Sequence, residues 1–208
     1  HFTTKPHPRI PQPVGLFGEQ RKNSMGVNLG NDNELKALAD AIAASAQTWT
    51  AVPLVPGAKS GAAAINVTDP ADRRRVVGTW QPADAALVEK ALANAVAAQP
   101  EWDRLPAAGR AKILEHTADL LEANRGELIA LCVREAGKTI PDAIAEVREA
   151  VDFCRYYAAQ ARKMLTHPEA LPGPTGEANG ISLHGRGVFL TISPWNFPLA
   201  IFAGQTAA

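Results

Sequence analysis

Apolar residues recur at intervals of three and four along much of the chain, the spacing that places them on one face of an α-helix. The longest uninterrupted stripe follows Pro141 and continues to Leu165. Between these limits it comprises Ile144, Val147, Val151, Cys154, Ala158 and Ala161. Proline suits the first turn of a helix, so Pro141 marks the start. The pattern predicts a long helix whose apolar face belongs to the core.

The same spacing predicts three further helices. Gly137 fits the end of the last of them, and Asn124-Arg125-Gly126 indicates a break within it. The predicted helices cover 33–49, with Asn33 as N-cap, 83–98, and 107 to about 135, where Ile113, Thr117, Leu121, Leu128, Leu131 and Cys132 are expected to face inward.

Short apolar runs predict strands between the helices. Two strands are expected at 62–67 and 76–80, joined by the charged turn 69–75, and another at 180–184. The run Val188–Ile192 is rich in β-branched residues and is typical of a strand covered on both faces. Helices surrounding a buried strand predict an α/β fold.

The junction after this last strand is the best candidate for a binding site. Pro194 ends the strand, because proline cannot donate to a sheet ladder. Asn196 is a good helix N-cap and Pro198 suits the first turn, so a helix is expected from Leu199 to Ala208. A side-chain amide and free backbone N–H groups at such a junction suit a developing negative charge.

Composition excludes several classes of partner. The 21 basic residues equal the 21 acidic ones, so charge indicates neither nucleic acid nor an anionic membrane as a partner. No apolar stretch reaches the length of a transmembrane helix, and the five histidines lack the paired spacing of a metal site. Cys132 and Cys154 both lie in apolar helical registers, which indicates core thiols and a reducing compartment, with the cytoplasm as the expected location.

A resemblance to a known family is carried by the run Leu183-His184-Gly185-Arg186-Gly187-Val188 and the segment Ile192-Ser193-Pro194-Trp195-Asn196-Phe197-Pro198-Leu199-Ala200-Ile201. Both resemble the aldehyde dehydrogenase superfamily. Within it, they are most similar to the glutamate-semialdehyde (pyrroline-5-carboxylate) dehydrogenase module of bifunctional proline utilization A proteins.

The resemblance implies the N-terminal part of an aldehyde dehydrogenase fold, incomplete over these residues. In that fold, helices and short β elements surround a Rossmann-like NAD-binding sheet. Residues 62–208 are then expected to be the N-terminal part of the NAD-binding domain. Residues 1–61, rich in Pro, Gly and Asn up to about residue 33, are expected to be a connector with one helix near 33–49. The connector would follow a proline dehydrogenase-like module that uses FAD.

It also implies a reaction, the NAD-dependent oxidation of L-glutamate γ-semialdehyde to glutamate. Asn196 corresponds to the family's asparagine that stabilises the oxyanion, and Phe197 to a residue beside the carbon chain of the aldehyde. The wall beside the nicotinamide and its ribose corresponds to Ile192, Ser193, Pro194 and Trp195.

Glu149 is a second candidate for the substrate site. Helical spacing places it away from the core stripe, on a face with Asp142, Glu146, Phe153 and Tyr156. Acidic helix faces are usually solvated, but a purely solvated face rarely carries two aromatic residues. By resemblance, Glu149 corresponds to a glutamate of the substrate channel that meets the α-ammonium group of glutamate semialdehyde. Both interpretations remain open.

The family's catalytic cysteine, general-base glutamate, cofactor lysine and glycine turn all follow the Trp-Asn-Phe-Pro segment and are absent from these 208 residues. We therefore expect an internal part of a longer homo-oligomeric enzyme whose partner is a small-molecule aldehyde, and no catalysis by these residues alone. Two different functions stay open: an aldehyde dehydrogenase of the succinate-semialdehyde or betaine-aldehyde type, and a non-catalytic scaffold that keeps the fold.

Overall fold

The computed structural model describes residues 7–11, 15–16, 18, 22–45 and 47–208. The fold is mixed α/β, as predicted, with α3, α4 and α6 packed on the long helix α5. In chain order the elements are α1 (Asp32–Ala44), β1 (Trp49–Ala51), β2 (Ile65–Thr68), β3 (Val76–Trp80), α2 (Ala85–Arg104), α3 (Ala107–Ala123), α4 (Arg125–Ala136), α5 (Ile140–Leu165), β4 (Glu169–Leu171), β5 (Asn179–Ile181) and α6 (Ala200–Ala207).

Helix α5 carries the core. Its predicted stripe is confirmed up to Ala158, since the side chains at 144, 147, 151, 154 and 158 are all buried, whereas Ala161 and Leu165 are half-buried. One apolar cluster joins this helix to α4 and α1, and a second joins it to α3. The first contains Leu38, Ile129, Cys132, Ala143, Ile144 and Val147, and the second contains Ala118, Val151 and Cys154.

The predicted helix over 107–135 divides at Asn124 into α3 and α4, which confirms the expected break. Gly137 ends α4 with a φ of 66°, a left-handed conformation that favours glycine. The expectation that Ile113 and Thr117 face inward is wrong, because both are exposed. The fully buried residues of α3 are all alanines, Ala107, Ala111 and Ala118. Leu114 and Leu121 pack beside them against the α5 cluster.

Helix α1 begins earlier and ends sooner than predicted. Asn31, and not Asn33, is the N-cap, because its side-chain oxygen accepts the backbone N–H groups of Asn33 and Glu34 at 3.0 and 3.4 Å. The helix ends at Ser45, whose N–H and hydroxyl both donate to the Ala41 carbonyl. Residues 49–51 instead form β1, since pairing with another strand satisfies their backbone groups.

The two predicted strands near 62–80 form β2 and β3, which pair antiparallel across the charged turn. β1 adds to β3 in parallel, giving a sheet of order β1-β3-β2. Helix α2 runs past its predicted end, through Pro100, and closes with the Leu105 N–H on the Glu101 and Trp102 carbonyls. The strand predicted at 180–184 is shorter and lies at 179–181, where it pairs with β4 in a hairpin.

The strand predicted at Val188–Ile192 is not formed. These residues have no regular structure, and Phe189, Leu190 and Ile192 are strongly exposed. A central strand needs neighbours on both sides for its N–H and carbonyl groups. Over the described ranges, the sheets contain β1 to β5 alone, and none of these strands pairs with 188–192. The predicted Rossmann-like sheet is therefore not assembled within the described residues.

Candidate active site

The segment 193–199, which we call the Asn196 loop, connects the extended run to α6. The prediction that Asn196 caps this helix is wrong. α6 begins at Ala200, after Leu199, and no side chain of the loop caps it. The cap comes from α5, where Glu146 Oε2 accepts the N–H groups of Leu199 at 3.2 Å and Ala200 at 2.8 Å. A carboxylate at a helix N-terminus both satisfies unpaired donors and meets the positive end of the helix dipole.

Glu146 is deeply buried, with 2% of its surface exposed. Its other oxygen, Oε1, lies 3.0 Å from Lys138 Nζ, so the buried negative charge is paired, although the angles of this contact are not those of a hydrogen bond. Helical spacing assigns Glu146 to the same acidic face as Glu149, and for Glu146 a solvated position is wrong. The signal available in the sequence is that its neighbours near one turn away, Ala143 and Ala150, are alanines that leave room for an incoming element.

Lys138 also contacts the Asn196 loop directly. Its Nζ lies 4.8 Å from the centre of the Phe197 ring, within the range of a cation–π interaction. Phe197 follows Asn196 immediately, and Leu199 lies two positions further on. The loop is thus held by one ion pair at two positions on the C-terminal side of Asn196.

Asn196 itself is exposed. Among the residues that the structure describes, no hydrogen bond engages its side-chain amide. The contacts that hold the loop engage Phe197 and Leu199, on the C-terminal side of Asn196, while its amide remains accessible. This combination suits a donor that acts on a bound molecule and not on the fold.

A cleft of about 590 Å³ separates α4 from the Asn196 loop. Ser193, Pro194 and Trp195, three of the residues predicted to line the cofactor site, lie on its wall. Trp195 is 88% exposed, and Ile192, which is not on this wall, is 81% exposed. Ser193 is oriented by a 2.7 Å hydrogen bond from its hydroxyl to the Gln205 side chain. Three of the four predicted residues are therefore brought together, and Ile192 lies outside the group.

Cys132 lies on the opposite wall of this cleft but is unsuited to be a nucleophile. Burial, together with the nearby negative charge of Glu146, raises the pKa of its thiol to about 11. Burial also raises the pKa of the Cys154 thiol. Because the thiolate is the reactive form, thiols with raised pKa values are poor nucleophiles. Both cysteines are buried core residues, as the sequence indicates.

Glu149 is exposed and lines a separate open cleft of about 460 Å³ along α5. Phe153 and Tyr156 share this cleft, so the predicted neighbourhood of one acid and two aromatics is present. Phe153 also faces α6 closely, since a Cβ added at Gly204 would lie 2.8 Å from its ring. The cleft therefore borders the helix that follows the Asn196 loop, although within the described residues no hydrogen bond or ion pair joins Glu149 to the loop itself.

A polar anchor that the sequence does not reveal joins the N-terminal segment to the helices. Ser24 donates its N–H and its hydroxyl to Asp152 at 2.8 and 2.9 Å. The Met25 N–H donates to Glu122 at 2.6 Å. The buried Arg155 binds the Asn23 carbonyl at 3.2 Å and pairs with Asp119 and Glu122 at 2.8 and 3.0 Å. This anchor joins residues more than ninety positions apart in the chain, and no local pattern indicates it.

The contacts of the anchor shift the pKa values of two of its side chains, Glu122 and Arg155. Burial alone disfavours the ionised form of Glu122, but hydrogen bonds from Arg155 and the Met25 N–H outweigh it and lower the pKa of this carboxyl. Burial likewise opposes the charge on Arg155, and its two acidic partners reverse this and raise the pKa of the guanidinium. Both groups are therefore ionised in the folded protein at neutral pH.

Neither a membrane span nor a metal cluster is found in the part of the chain that the structure describes. None of the helices there is long and apolar enough to cross a membrane. Within the same residues, no three His, Cys, Asp or Glu side chains are grouped as a metal ion requires.

Comparison with known proteins gives consistent matches. The bifunctional protein PutA of Salmonella typhimurium is 44% identical over 204 residues, 98% of this chain and 14% of that protein. The 1-pyrroline-5-carboxylate dehydrogenase of Anoxybacillus flavithermus is 41% identical over 67% of this chain and 27% of that protein. Among solved structures, the Thermus 1-pyrroline-5-carboxylate dehydrogenase with bound NAD superposes with a TM-score of 0.80 at 29% identity, covering 99% of this chain and 38% of that chain.

The chain thus spans about one seventh of its PutA relative. The model of the aldehyde dehydrogenase family matches residues 57–208. This stretch contains the Asn196 loop, the cleft beside it and every helix from α2 to α6. The chain belongs to the aldehyde dehydrogenase family.

Proposed function

We propose that this chain is part of an NAD-dependent dehydrogenase that oxidises L-glutamate γ-semialdehyde to glutamate. The observation that carries the proposal is the Asn196 loop, which keeps an accessible side-chain amide close to an end that Glu146 holds through the Leu199 and Ala200 N–H groups. The similarity to PutA and to 1-pyrroline-5-carboxylate dehydrogenases supports the substrate class. A succinate-semialdehyde or betaine-aldehyde enzyme and a non-catalytic scaffold are outcomes of the experiment below.

In this proposal Asn196 donates a hydrogen bond to the substrate oxygen as negative charge develops on it. A thiolate attacking an aldehyde carbon moves the carbonyl electron pair onto that oxygen. Preorganised donors stabilise such an oxyanion without reorganising at the moment of reaction. The attacking thiolate comes from neither Cys132 nor Cys154, because both thiols are buried and have raised pKa values.

NAD, when bound, is the oxidant for this chemistry. The residues present fit one side of its site, because Ser193, Pro194 and Trp195 line a single cleft and Trp195 offers an exposed ring. Ile192 joins them in the proposal as a residue of the same exposed run. An indole face suits packing against a planar ring. The NAD bound in the similar Thermus enzyme supports this cofactor.

Substrate recognition is assigned to Glu149 and Phe197. The carboxylate of Glu149 stands in an open cleft beside Phe153 and Tyr156, where it meets the α-ammonium group of the semialdehyde as a charged partner. Phe197, whose ring has the Lys138 ammonium group on one face, packs against the carbon chain.

The division of the chain follows the same reasoning. Residues 62–208 form the N-terminal part of the NAD-binding domain, and 1–61 form a connector that follows a proline dehydrogenase-like module. The family match from residue 57 supports this division. An FAD in that preceding module, assembly as a homo-oligomer and the cytoplasmic location stay predictions.

The experiment measures kcat/KM for NADH formation by the full-length protein containing this chain. Glutamate semialdehyde is expected to be preferred over propionaldehyde, succinate semialdehyde and betaine aldehyde. In Glu149→Ala, kcat/KM for glutamate semialdehyde is expected to fall about tenfold or more, as for loss of a charge-assisted contact, with little change for propionaldehyde, which lacks the ammonium group.

Glu89→Ala, which removes an exposed acid on α2, is the matched control and is expected to leave both values unchanged. Unchanged kcat/KM for both aldehydes would show that Glu149 is a solvated surface residue, and equal losses for the two aldehydes would contradict a contact with the ammonium group. A wild-type preference for succinate semialdehyde or betaine aldehyde would contradict the proposed substrate. No NADH with any aldehyde would favour the scaffold.

A further inference from the structure

We propose that Glu146 and Lys138 form a positioning pair that sets the place of Asn196. Neither side chain is a catalytic residue in this proposal, because both act through the loop. The positioning itself stands on the contacts alone, and its effect on turnover rests on the function proposed above.

The first contact is the cap of α6. This helix has eight residues and no capping side chain of its own. Glu146 Oε2 supplies the missing acceptor from α5, at 2.8 Å from the Ala200 nitrogen and 3.2 Å from the Leu199 nitrogen. A short helix depends strongly on its caps. The start of α6, and with it the end of the Asn196 loop, is therefore fixed to α5 at Glu146.

The second contact runs through Lys138. This residue follows Gly137 at the end of α4, so the turn between α4 and α5 delivers its ammonium group to Glu146 Oε1 at 3.0 Å. The same ammonium group lies over the Phe197 ring at 4.8 Å. One cation thus balances the buried carboxylate and restrains the residue next to Asn196.

A pair of this kind adds little net stability, because desolvation offsets most of the attraction between the charges. Replacing either partner alone by a neutral residue is nevertheless costly, since it leaves the remaining charge without its partner. The pair instead determines the position of the loop, because its two charges contact both the backbone N–H groups at the start of α6 and the Phe197 ring. These contacts, on the C-terminal side of Asn196, set the position of its side-chain amide.

Catalysis is sensitive to such placement, because a displacement of about 1 Å in a reacting group lowers turnover by roughly 10²-fold. A change confined to positioning lowers kcat more than it raises KM, since the oxyanion exists only after substrate has bound. Loss of the pair is therefore expected to reduce kcat about 10- to 100-fold, with KM changed less than about threefold.

The test is amide hydrogen exchange of the full-length protein, read in a peptide covering 195–204, for wild type, Glu146→Gln, Glu146→Ala, Lys138→Met and the double variant Lys138→Met with Glu146→Gln. Glu146→Gln keeps the shape of the side chain and one acceptor oxygen but leaves the Lys138 ammonium group unpaired. The double variant removes that unpaired charge as well. Glu89→Gln is the control, because it removes the same charge from an exposed position.

Exchange in this peptide is expected to be about tenfold faster or more in Glu146→Ala, intermediate in Glu146→Gln, and restored toward wild type in the double variant, with kcat following the same order. The non-additivity of the two substitutions identifies the coupling. Wild-type exchange in both Glu146→Gln and Lys138→Met would overturn the inference, whatever happens to kcat. If the wild type oxidises no aldehyde while the exchange rates follow the expected order, the proposed function fails and the positioning pair stands.

Discussion

Replacing Asn196 with alanine in the full-length protein is expected to lower kcat about 10²- to 10³-fold, equivalent to roughly 3–4 kcal/mol of transition-state stabilisation. The amide is exposed, and within the described part of the chain no hydrogen bond uses it. Its removal therefore costs the fold little and costs the oxyanion one of its donors. Steady-state NADH formation with glutamate semialdehyde, together with thermal unfolding, measures the two effects separately.

Asn33→Ala is the matched control for this substitution. Asn33 is also exposed, lies in α1 and is remote from the loop in sequence. Its replacement is expected to leave kcat within about twofold of wild type, since surface substitutions rarely act at a distance. An Asn196→Ala variant with wild-type kcat would remove this residue from the oxyanion role.

The second large effect concerns the N-terminal anchor. Arg155→Met is expected to lower the free energy of unfolding by about 3 kcal/mol, because it leaves Glu122 partly buried without its cation. The Asn23 carbonyl also loses its donor. Urea denaturation followed by circular dichroism, with hydrogen exchange in a peptide over 22–30, reports the global and the local effect.

Arg162→Met tests whether burial of the ion pair causes the loss of stability expected in Arg155→Met. Arg162 also pairs with an acid, Glu115, at 2.8 Å, but both side chains of this pair are substantially exposed, 29% and 40%. Such pairs contribute roughly 0–1 kcal/mol. Equal losses for the two variants would contradict the anchor.

The anchor also has a definite pH dependence. The pKa of Glu122 in the folded protein lies below its ordinary value of 4.5. Its stabilising contribution is therefore fully present above pH 4.5 and is lost as pH falls through the lower, folded pKa. The difference in unfolding free energy between wild type and Arg155→Met is expected to shrink in that acidic range.

The parts of the fold that the sequence predicts correctly are those determined locally. The stripe on α5 needs only the helical repeat, and Gly137 needs only its backbone freedom, so both are readable from one chain. Val188–Ile192 has the composition of a strand, yet a strand exists only where neighbours accept its hydrogen bonds. The described residues offer none, and the run stays without regular structure and exposed.

The candidate site divides in the same way. The role of the Trp195-Asn196-Phe197 motif can be predicted from the sequence because the motif resembles a family. The role of Glu146 depends on the docking of α6 against α5, more than fifty residues away in the chain. An acid in a helix is ordinarily solvated, and the alanines about one turn from Glu146 are the one sign in the sequence that another element covers it. The cap of α1 is a smaller example, since the helical spacing predicts Asn33, whereas the hydrogen bonds show that Asn31, two positions earlier, is the cap.

The Asn196 loop forms the oxyanion side of a glutamate-semialdehyde site in the function proposed here. A crystal structure of the full-length protein with the product glutamate bound tests this most directly. We expect the Asn196 side-chain nitrogen about 3 Å from a γ-carboxylate oxygen of glutamate, with the Glu149 carboxylate facing its α-ammonium group. Glutamate bound with its γ-carboxylate away from Asn196 would contradict the oxyanion role.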